Sequence, residues 1–324
     1  MPRHHSLLFA IADILLLPLI APSAWILKAV RRAGMERLPR VRSLLRRIGV
    51  FPVRAHYYEP MFDFSQLGKP LGDDRSLPGV DLNVAGQLEL LKRFDYAAEL
   101  SELPVLPAGD GVFCYENGWY GTGDAEFLYS IIRLMRPRRI IEVGSGYSTL
   151  AAIQALRRNL EEGAPLCTHV CIEPYERPWL ESKGVTVLRA RLEDIGVEQF
   201  RELQANDILF VDSSHVIRPQ GDVLKEMLEI LPILNPGVLV HFHDVFTPRD
   251  YPADWLEEKV LLWNEQYLLE AFLSCNREFE IIGALDFLTR HHFDSVAAKF
   301  PILAAKGPSA APGAFWLRRR LSVS

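Results

Sequence analysis

The sequence predicts an α/β fold built on a doubly wound, mostly parallel sheet of seven strands. Three observations predict it. From residue 138 onward, short apolar runs alternate with stretches of helical spacing, the pattern of strands joined by crossover helices. The first of these runs, RRIIEVGSG, ends in glycines and opens directly into a helical stretch. The fourth and fifth, DILFVDSSH and GVLVHFHDVF, are strongly apolar and then turn abruptly polar. In such sheets ligands bind at the carboxyl ends of the strands. That is where the sequence puts Gly144, Gly146, Glu173, Asp212, His215, His243 and Asp244.

Three parts are expected: an N-terminal segment (1–54), a lead-in subdomain (55–137) and the sheet domain (138–324). Residues 6–27, SLLFAIADILLLPLIAPSAWIL, carry one charge, Asp13. A helix needs about 20 apolar residues to cross a bilayer, so the run is long enough. Pro18 and Pro22 predict a kink or break within it. Residues 28–54 then hold Lys28, Arg31, Arg32, Arg37, Arg40, Arg42, Arg46, Arg47 and Arg54 against Glu36, a net of +8. A basic block after an apolar run predicts a membrane-associated segment contacting lipid, with the body on the cytoplasmic face, such as that of a bacterial inner membrane. Spanning, re-entrant and interfacial placements are all open, as is a helix buried on the body or on a second subunit. Pro22-Ser23-Ala24 is a poor cleavage site for a signal peptide.

The whole chain of 324 residues has a net charge of −5; residues 1–27 are neutral (Arg3 against Asp13), so the body after the basic block is acidic. That argues against a nucleic-acid partner. With 49% hydrophobic and 24% charged residues, wholesale disorder is excluded. Cys114, Cys167, Cys171 and Cys275 form no CxxC pair, so free thiols are expected rather than a zinc site.

In the lead-in part, 83–100 reads as a helix with Asn83 at its N-cap, and 123–135 as a second helix with Asp124 in its first turn. Within the sheet domain, 147–160 is a helix with Leu150, Ile153, Leu156 and Leu160 inward. THVCIEP is the second strand, PWLESKG a short helix and VTVLRARLED the third strand with its exit loop. Residues 220–234 are a helix with Val223, Met227, Ile230 and Leu231 inward. KVLLWNEQYLLEAFLS is a later helix, in which Trp263, Asn264, Glu265 and Tyr267 face a substrate or pack a loop. FEIIGA (279–284) and AFWLRR (314–319) supply the last two strands, antiparallel at the edge, and 300–313 is a loop.

Gly144-Ser145-Gly146 needs a third small residue to read as a dinucleotide fingerprint. Thr149 stands there, which weakens binding of NAD. Glu142 precedes the loop and is placed to receive an amino group. Glu173, ending the second strand, suits the hydroxyls of a ribose. Glycines let a ligand approach the backbone, and a helix N-terminus favours its carboxylate. The set describes S-adenosylmethionine better than a dinucleotide.

Residues 138–283 resemble a class I S-adenosylmethionine-dependent methyltransferase with a Rossmann-like sheet. The resemblance rests on IIEVGSGYST, DILFVDSSHV, VHFHDVF and WNEQYLLEAFL. It is closest to the small-molecule and O-methyltransferase-like group whose fourth strand ends in D-x-x-H, here Asp212-Ser213-Ser214-His215, and whose fifth ends in paired polar residues, here His243-Asp244. The resemblance implies that Gly144, Ser145 and Gly146 line the methionine half of the cofactor and that Glu173 binds ribose. It implies that Arg191 and Leu192 flank adenine and that Asp212 and Ser213 close the site near the sulfonium.

Methyl transfer needs an acceptor held close and deprotonated. Two designs serve: His215 as general base beside Asp212, or a divalent cation that lowers the acceptor's pKa. Metal-dependent members of the group place ligands where this chain has Asp212, His243 and Asp244. His243 stands where an acid is commoner, which shifts the expected ion from Mg²⁺ toward Mn²⁺, Fe²⁺ or Zn²⁺. His241 reads as a core histidine. The expected activity is O-methylation of a sugar or other small metabolite, a small-molecule or glycan acceptor. The competing readings are an NAD-dependent oxidoreductase and a non-catalytic membrane scaffold. A homo-oligomer is compatible with the sequence.

Overall fold

Short apolar runs build seven strands: β1 (Arg139–Val143), β2 (Thr168–Ile172), β3 (Thr186–Leu188), β4 (Ile208–Val211), β5 (Leu239–Phe242), β6 (Phe279–Ala284) and β7 (Phe315–Arg319). They form one sheet in the order β3-β2-β1-β4-β5-β7-β6. The first five pair in parallel, and β7 runs antiparallel to both β5 and β6. The computed structural model describes residues 3–175 and 177–321, with side chains from Leu7 onward. They divide into two units, 1–70 and 71–324.

Both faces of the sheet are covered, so β4 and β5 at its centre are buried throughout, while the edge strand β3 is not. Ile140, Phe210, Leu239 and Trp316 point to one core, together with Phe127 and Ile131. Ile141, Val143, Leu209, Val240 and Leu317 point to the other, together with Met227, Ile230 and Leu269. The chain winds outward from β1 to β3 and then returns to the other side of β1 as β4. The carboxyl ends of β1 and β4 therefore flank the switch point, where such sheets leave a crevice.

In the first unit, α1 (Arg3–Ala33) runs through Pro18 and Pro22 as one helix, so the prolines do not break it. Each proline removes one i→i−4 bond, and the rest of the 31-residue ladder carries the helix on. Leu7–Ala33 is long and apolar enough to cross a membrane, and the hydrophobic part has no buried residues within the protein. Then α2 (Pro39–Ile48) starts on Pro39 and stops at Gly49, whose φ of 82° lets its N–H reach Leu45 and Arg46.

In the second unit the expected 83–100 helix is two helices, α3 (Val84–Lys92) and α4 (Ala97–Glu102). Asn83 occupies the N-cap position of α3, but its amide donates to the Ile281 carbonyl at 2.9 Å instead of capping. The helix α5 (Asp124–Met135) forms as expected, and α6 (Tyr147–Glu161) buries Leu150, Ala151, Ala152 and Ala155. Leu160 is exposed, because the small-residue stripe lets α6 pack closely on α5 without it. The 220–234 stretch does bury Val223, Met227, Ile230 and Leu231, but as one α-turn, a π-turn and a 3₁₀ turn. Pro232 prevents its last part from closing an α-helical ladder. Residues 259–264 are irregular, and the helix begins only at Glu265. The expected 300–313 loop opens with a helix, Pro301–Lys306, started by a proline at its first position. The four cysteines are free thiols.

Candidate active site

The site is assembled where β1, β4 and β5 end. Backbone bonds extend the parallel ladder one residue beyond each strand: Gly144 N–H donates to Ile172, Asp212 N–H to Val143 and His243 N–H to Val211. These bonds fix the loops that follow. Gly144 has φ +75°, and a Cβ there would lie 1.9 Å from the Asp212 carbonyl oxygen. The glycine turn and the end of β4 thus touch, and only glycine permits it.

Gly146 is different. Its φ is 177°, ordinary extended backbone, and a Cβ would meet only Arg177 Nε at 3.7 Å. Nothing within the protein demands glycine there, so the space beside it is available to a ligand. The turn is locked from below. Gly146 N–H donates to Thr149 Oγ1 at 3.0 Å, and that hydroxyl donates to Glu142 at 2.8 Å. Thr149, the residue that spoils the dinucleotide pattern, is the clasp of this loop.

Glu142 also accepts from Ser148 at 2.6 Å and faces His169 Nε2 at 2.8 Å. Both its oxygens are taken by protein donors, and the residue is buried beneath the loop. The sequence placed an amino group there; in the structure the carboxylate braces the loop. Glu173 follows β2 and accepts from the Ser145 and Tyr175 N–H groups at 3.1 and 3.0 Å. Arg191 caps a 3₁₀ turn after β3 and pairs with Asp194. Leu192 of that turn is buried in the core.

After β4, each residue of the Ser213-Ser214-His215 run is held by a different acid. Ser213 Oγ donates to Glu226 at 3.3 Å. The Ser214 N–H and hydroxyl donate to Asp222 at 2.9 and 2.6 Å. His215 Nδ1 lies 2.8 Å from Glu265. The His215 carbonyl accepts from the Asn264 and Glu265 N–H groups, and the Asn264 side chain takes the Ile217 N–H. These bonds hold His215 at φ +58°, a conformation costly outside glycine and concentrated at functional sites. The Trp263 ring lies over His215 at 4.3 Å between centroids.

The other edge of His215 faces the cluster. Its Nε2 is 3.3 Å from Asp212 and 3.8 Å from Asp244. His243 Nδ1 is 3.5 Å from Asp212 and 3.7 Å from Asp244, and its Nε2 is 3.6 Å from Asp124. Two carboxylates therefore sit between two imidazoles. Asp212, His215 and Asp244 each offer a ligand atom within 4.8 Å of the others. The sequence paired Asp212 and Asp244 with His243. In the structure His215 completes that compact group, with His243 alongside. Oxygen and imidazole donors of this kind suit a divalent cation of borderline softness.

The electrostatics agree. Burial disfavours charge on His215, but the bonds to Asp212 and Glu265 outweigh it and hold the ring well above its ordinary pKa. His243 behaves alike: burial opposes its charge, and Asp244, Asp212 and Asp124 overcome that. Burial also works against a charged Asp212, yet His243 and His215 keep its carboxyl well below the usual range. Burial pushes Asp244 up against the pull of both histidines. Without a ligand, the cluster balances its carboxylates with imidazolium charge, a role a divalent cation fills equally. His241 is a neutral core histidine. It stacks on Phe210 at 3.9 Å, and burial, with His243 nearby, holds it well below its ordinary pKa.

A pH prediction follows from His215. A histidine raised in the folded state stabilises fully below its unfolded pKa near 6.5, and that stabilisation is lost as pH rises through the folded value. With a chelator present, the melting temperature of the chain should fall as pH is raised from about 6.5. Glu265→Gln removes a partner, lowers the folded pKa and should flatten the fall. Equal slopes in calorimetric melts of the two proteins would contradict the assignment.

Four supporting residues carry no joint signal in the sequence. The sequence groups Glu265 only with its neighbours and marks Asp124 only as a first-turn residue. Glu226 lies three residues after Val223, on the apolar stripe of its helix, and that misplaced charge was the available signal. Glu226 is buried against Glu265, and burial followed by that neighbour pushes its carboxyl well up. Asp222, one turn before Glu226, carried no separate signal.

Residues 141–245 match the family model of a methyltransferase domain. The match runs from β1 to just past β5 and includes the glycine turn, the Asp212–His215 loop and the His243-Asp244 pair. Over 180 residues the chain is 25% identical to an uncharacterized protein of Archaeoglobus fulgidus, covering 51% of this chain and 80% of that protein. Among solved structures it is similar to an O-methyltransferase from Bacillus cereus in complex with SAH, at 15% identity and TM-score 0.33, covering 72% of this chain and 90% of that one. It is also similar to the apo structure of CmcI, at 17% identity and TM-score 0.36, covering 63% and 73%. A structure of CmcI with Mg and SAM is at 17% identity and TM-score 0.34, covering 62% and 73%.

Proposed function

We propose that this chain is an S-adenosylmethionine-dependent methyltransferase acting on a hydroxyl of a sugar or similar small metabolite, anchored to a membrane by α1. One observation carries the reading: the glycine turn of the methyltransferase domain abuts Asp212, so the cofactor loop and the acid–histidine cluster lie side by side at the carboxyl edge of the sheet. The open space at Gly146 and the N–H groups at the start of α6 suit the carboxylate of the cofactor's methionine half. Ser145 belongs to the same turn. Glu173, Arg191 and Leu192 follow β2 and β3, and in this reading they serve ribose and adenine.

When bound, S-adenosylmethionine supplies a methyl carbon made electrophilic by its sulfonium. A divalent cation, Mn²⁺ or Mg²⁺, would be held by Asp212, Asp244 and His243 and would supply a lowered acceptor pKa and a fixed orientation. The chain's own residues do the rest. Glu265 accepts the Nδ1–H of His215 and so turns Nε2, with its lone pair, toward the cluster. With a divalent cation taking over the balance of the carboxylates, His215 would be neutral and would take the acceptor's proton at Nε2. Asp212 and Asp244 stabilise the imidazolium that results. Burial of both histidines and the Trp263 cover keep water from the acceptor oxygen.

The membrane part of the proposal rests on α1, whose apolar residues Leu7, Leu8, Phe9, Ile14 and Leu15 are all more than half exposed. A basic flank from Lys28 onward favours a body on the cytoplasmic face.

Calorimetric titration of the detergent-solubilised full chain with S-adenosylhomocysteine tests the cofactor. Binding with a micromolar Kd is expected, tightened by Mn²⁺, with no heat from NAD. A folded sample that bound NAD, or neither nucleotide, would overturn the reading.

A further inference from the structure

The first unit, residues 1–70, contains a cavity of about 400 Å³ at the place where α1 changes from apolar to charged. Leu27 and Met61 line its apolar side, and Lys28, Arg32, Arg54 and His56 its polar side. Lys28 and Arg32 are one turn apart and so project from the same stripe of the helix. The segment Pro52–His56 closes the opposite wall.

This cavity has more positive charge than the protein balances. Glu59 pairs with Arg31 and lies 3.5 Å from Arg54. Among the described residues, neither Lys28 nor Arg32 has a carboxylate within ion-pair distance; Lys28 Nζ instead sits 5.0 Å above the Trp25 ring. One acid thus serves four cations. Such a cavity suits an anion, and its apolar wall suits one attached to carbon chains.

Its position along α1 narrows the chemistry further. From Leu7 to Leu27 the helix rises about 30 Å, at 1.5 Å per residue, which is the thickness of a bilayer's hydrocarbon core. Lys28 is the first cation after that length, so the cavity lies at headgroup level. Trp25, Tyr57 and Tyr58 are 68%, 91% and 86% exposed, and aromatic residues of this kind gather at the membrane–water boundary.

We infer that this cavity binds the phosphodiester of an anionic glycerophospholipid, with Lys28 and Arg32 on the phosphate oxygens and Leu27 and Met61 against the carbons beside it. The inference rests on the membrane anchor proposed above. Arg54 and His56 complete the polar wall.

The test uses the full chain in a neutral maltoside detergent, titrated by native mass spectrometry with dihexanoyl phosphatidylglycerol, dihexanoyl phosphatidylcholine and inorganic phosphate. Phosphatidylglycerol should bind at least about tenfold more tightly than either of the others, about 1.4 kcal/mol. Lys28→Gln with Arg32→Gln should abolish that preference without moving the melting temperature. Equal affinity for the two lipids, or a preference that survives the double substitution, overturns the proposal. Inorganic phosphate binding as tightly as phosphatidylglycerol makes the cavity a plain anion site and also overturns it. Flotation of the chain with phosphatidylcholine vesicles on a sucrose gradient separates the two readings. A chain that floats but shows no lipid preference keeps its anchor and loses this site. A chain that stays at the bottom loses both.

Discussion

His215→Ala should leave S-adenosylhomocysteine binding intact and slow methyl transfer by about 10²–10⁴-fold, the usual worth of a positioned general base. That factor corresponds to about 2.7–5.5 kcal/mol of barrier. The separation of binding from rate is expected because His215 touches Asp212, Asp244, Glu265 and Trp263 but none of the glycine-turn residues. Removing the ring also leaves Glu265 buried beside Glu226 without its partner, and breaking a buried pair costs about 3–5 kcal/mol. His215→Asn is therefore the companion variant, since it keeps a hydrogen-bonding side chain in place. Transfer is read as S-adenosylhomocysteine released in the presence of an accepted sugar. Unchanged turnover in both variants would remove His215 from the chemistry and leave the metal-assisted route alone.

Gly146→Asp should fold and yet lose cofactor binding by at least about 100-fold, or about 2.7 kcal/mol. The reason is the contrast between the two glycines. At Gly144 a side chain runs into the Asp212 carbonyl and needs a φ of +75°, so substitution there damages the fold itself. At Gly146 the backbone is extended and the nearest atom to a new Cβ is 3.7 Å away. A carboxylate placed there fills the ligand's space and repels the ligand's own carboxylate. Thermal melts and calorimetry on one sample decide the matter. A normal melt with normal affinity would show that the ligand does not lie against this turn.

Much of this arrangement was legible before any coordinates. The alternation of apolar runs with helical stretches determined a doubly wound sheet, because each period reports locally which face of a segment must be buried. The glycines after the first strand, and the sudden polarity of DSSH and HFHD, marked the strand ends that carry the chemistry. The antiparallel edge formed by the last two strands also followed from their order.

What only the tertiary structure decided is how those residues are held and paired. Glu265 reaches His215 from 50 positions further along, and Asp124 reaches His243 from more than a hundred positions earlier. No local pattern encodes such a meeting, since it depends on how helices on the two faces seat against the sheet. The turn of Glu142 toward Thr149 and His169 is likewise set by the register of β1 on β2, which places Glu142 opposite Cys171. The continuity of α1 through two prolines is a balance of many backbone bonds against two missing ones, which a residue-by-residue rule misjudges. The sequence by itself determined which atoms could do the chemistry; packing decided that His215 meets Asp212 and Asp244 alongside His243, because the start of a distant helix pins its backbone and Glu265 turns its ring inward.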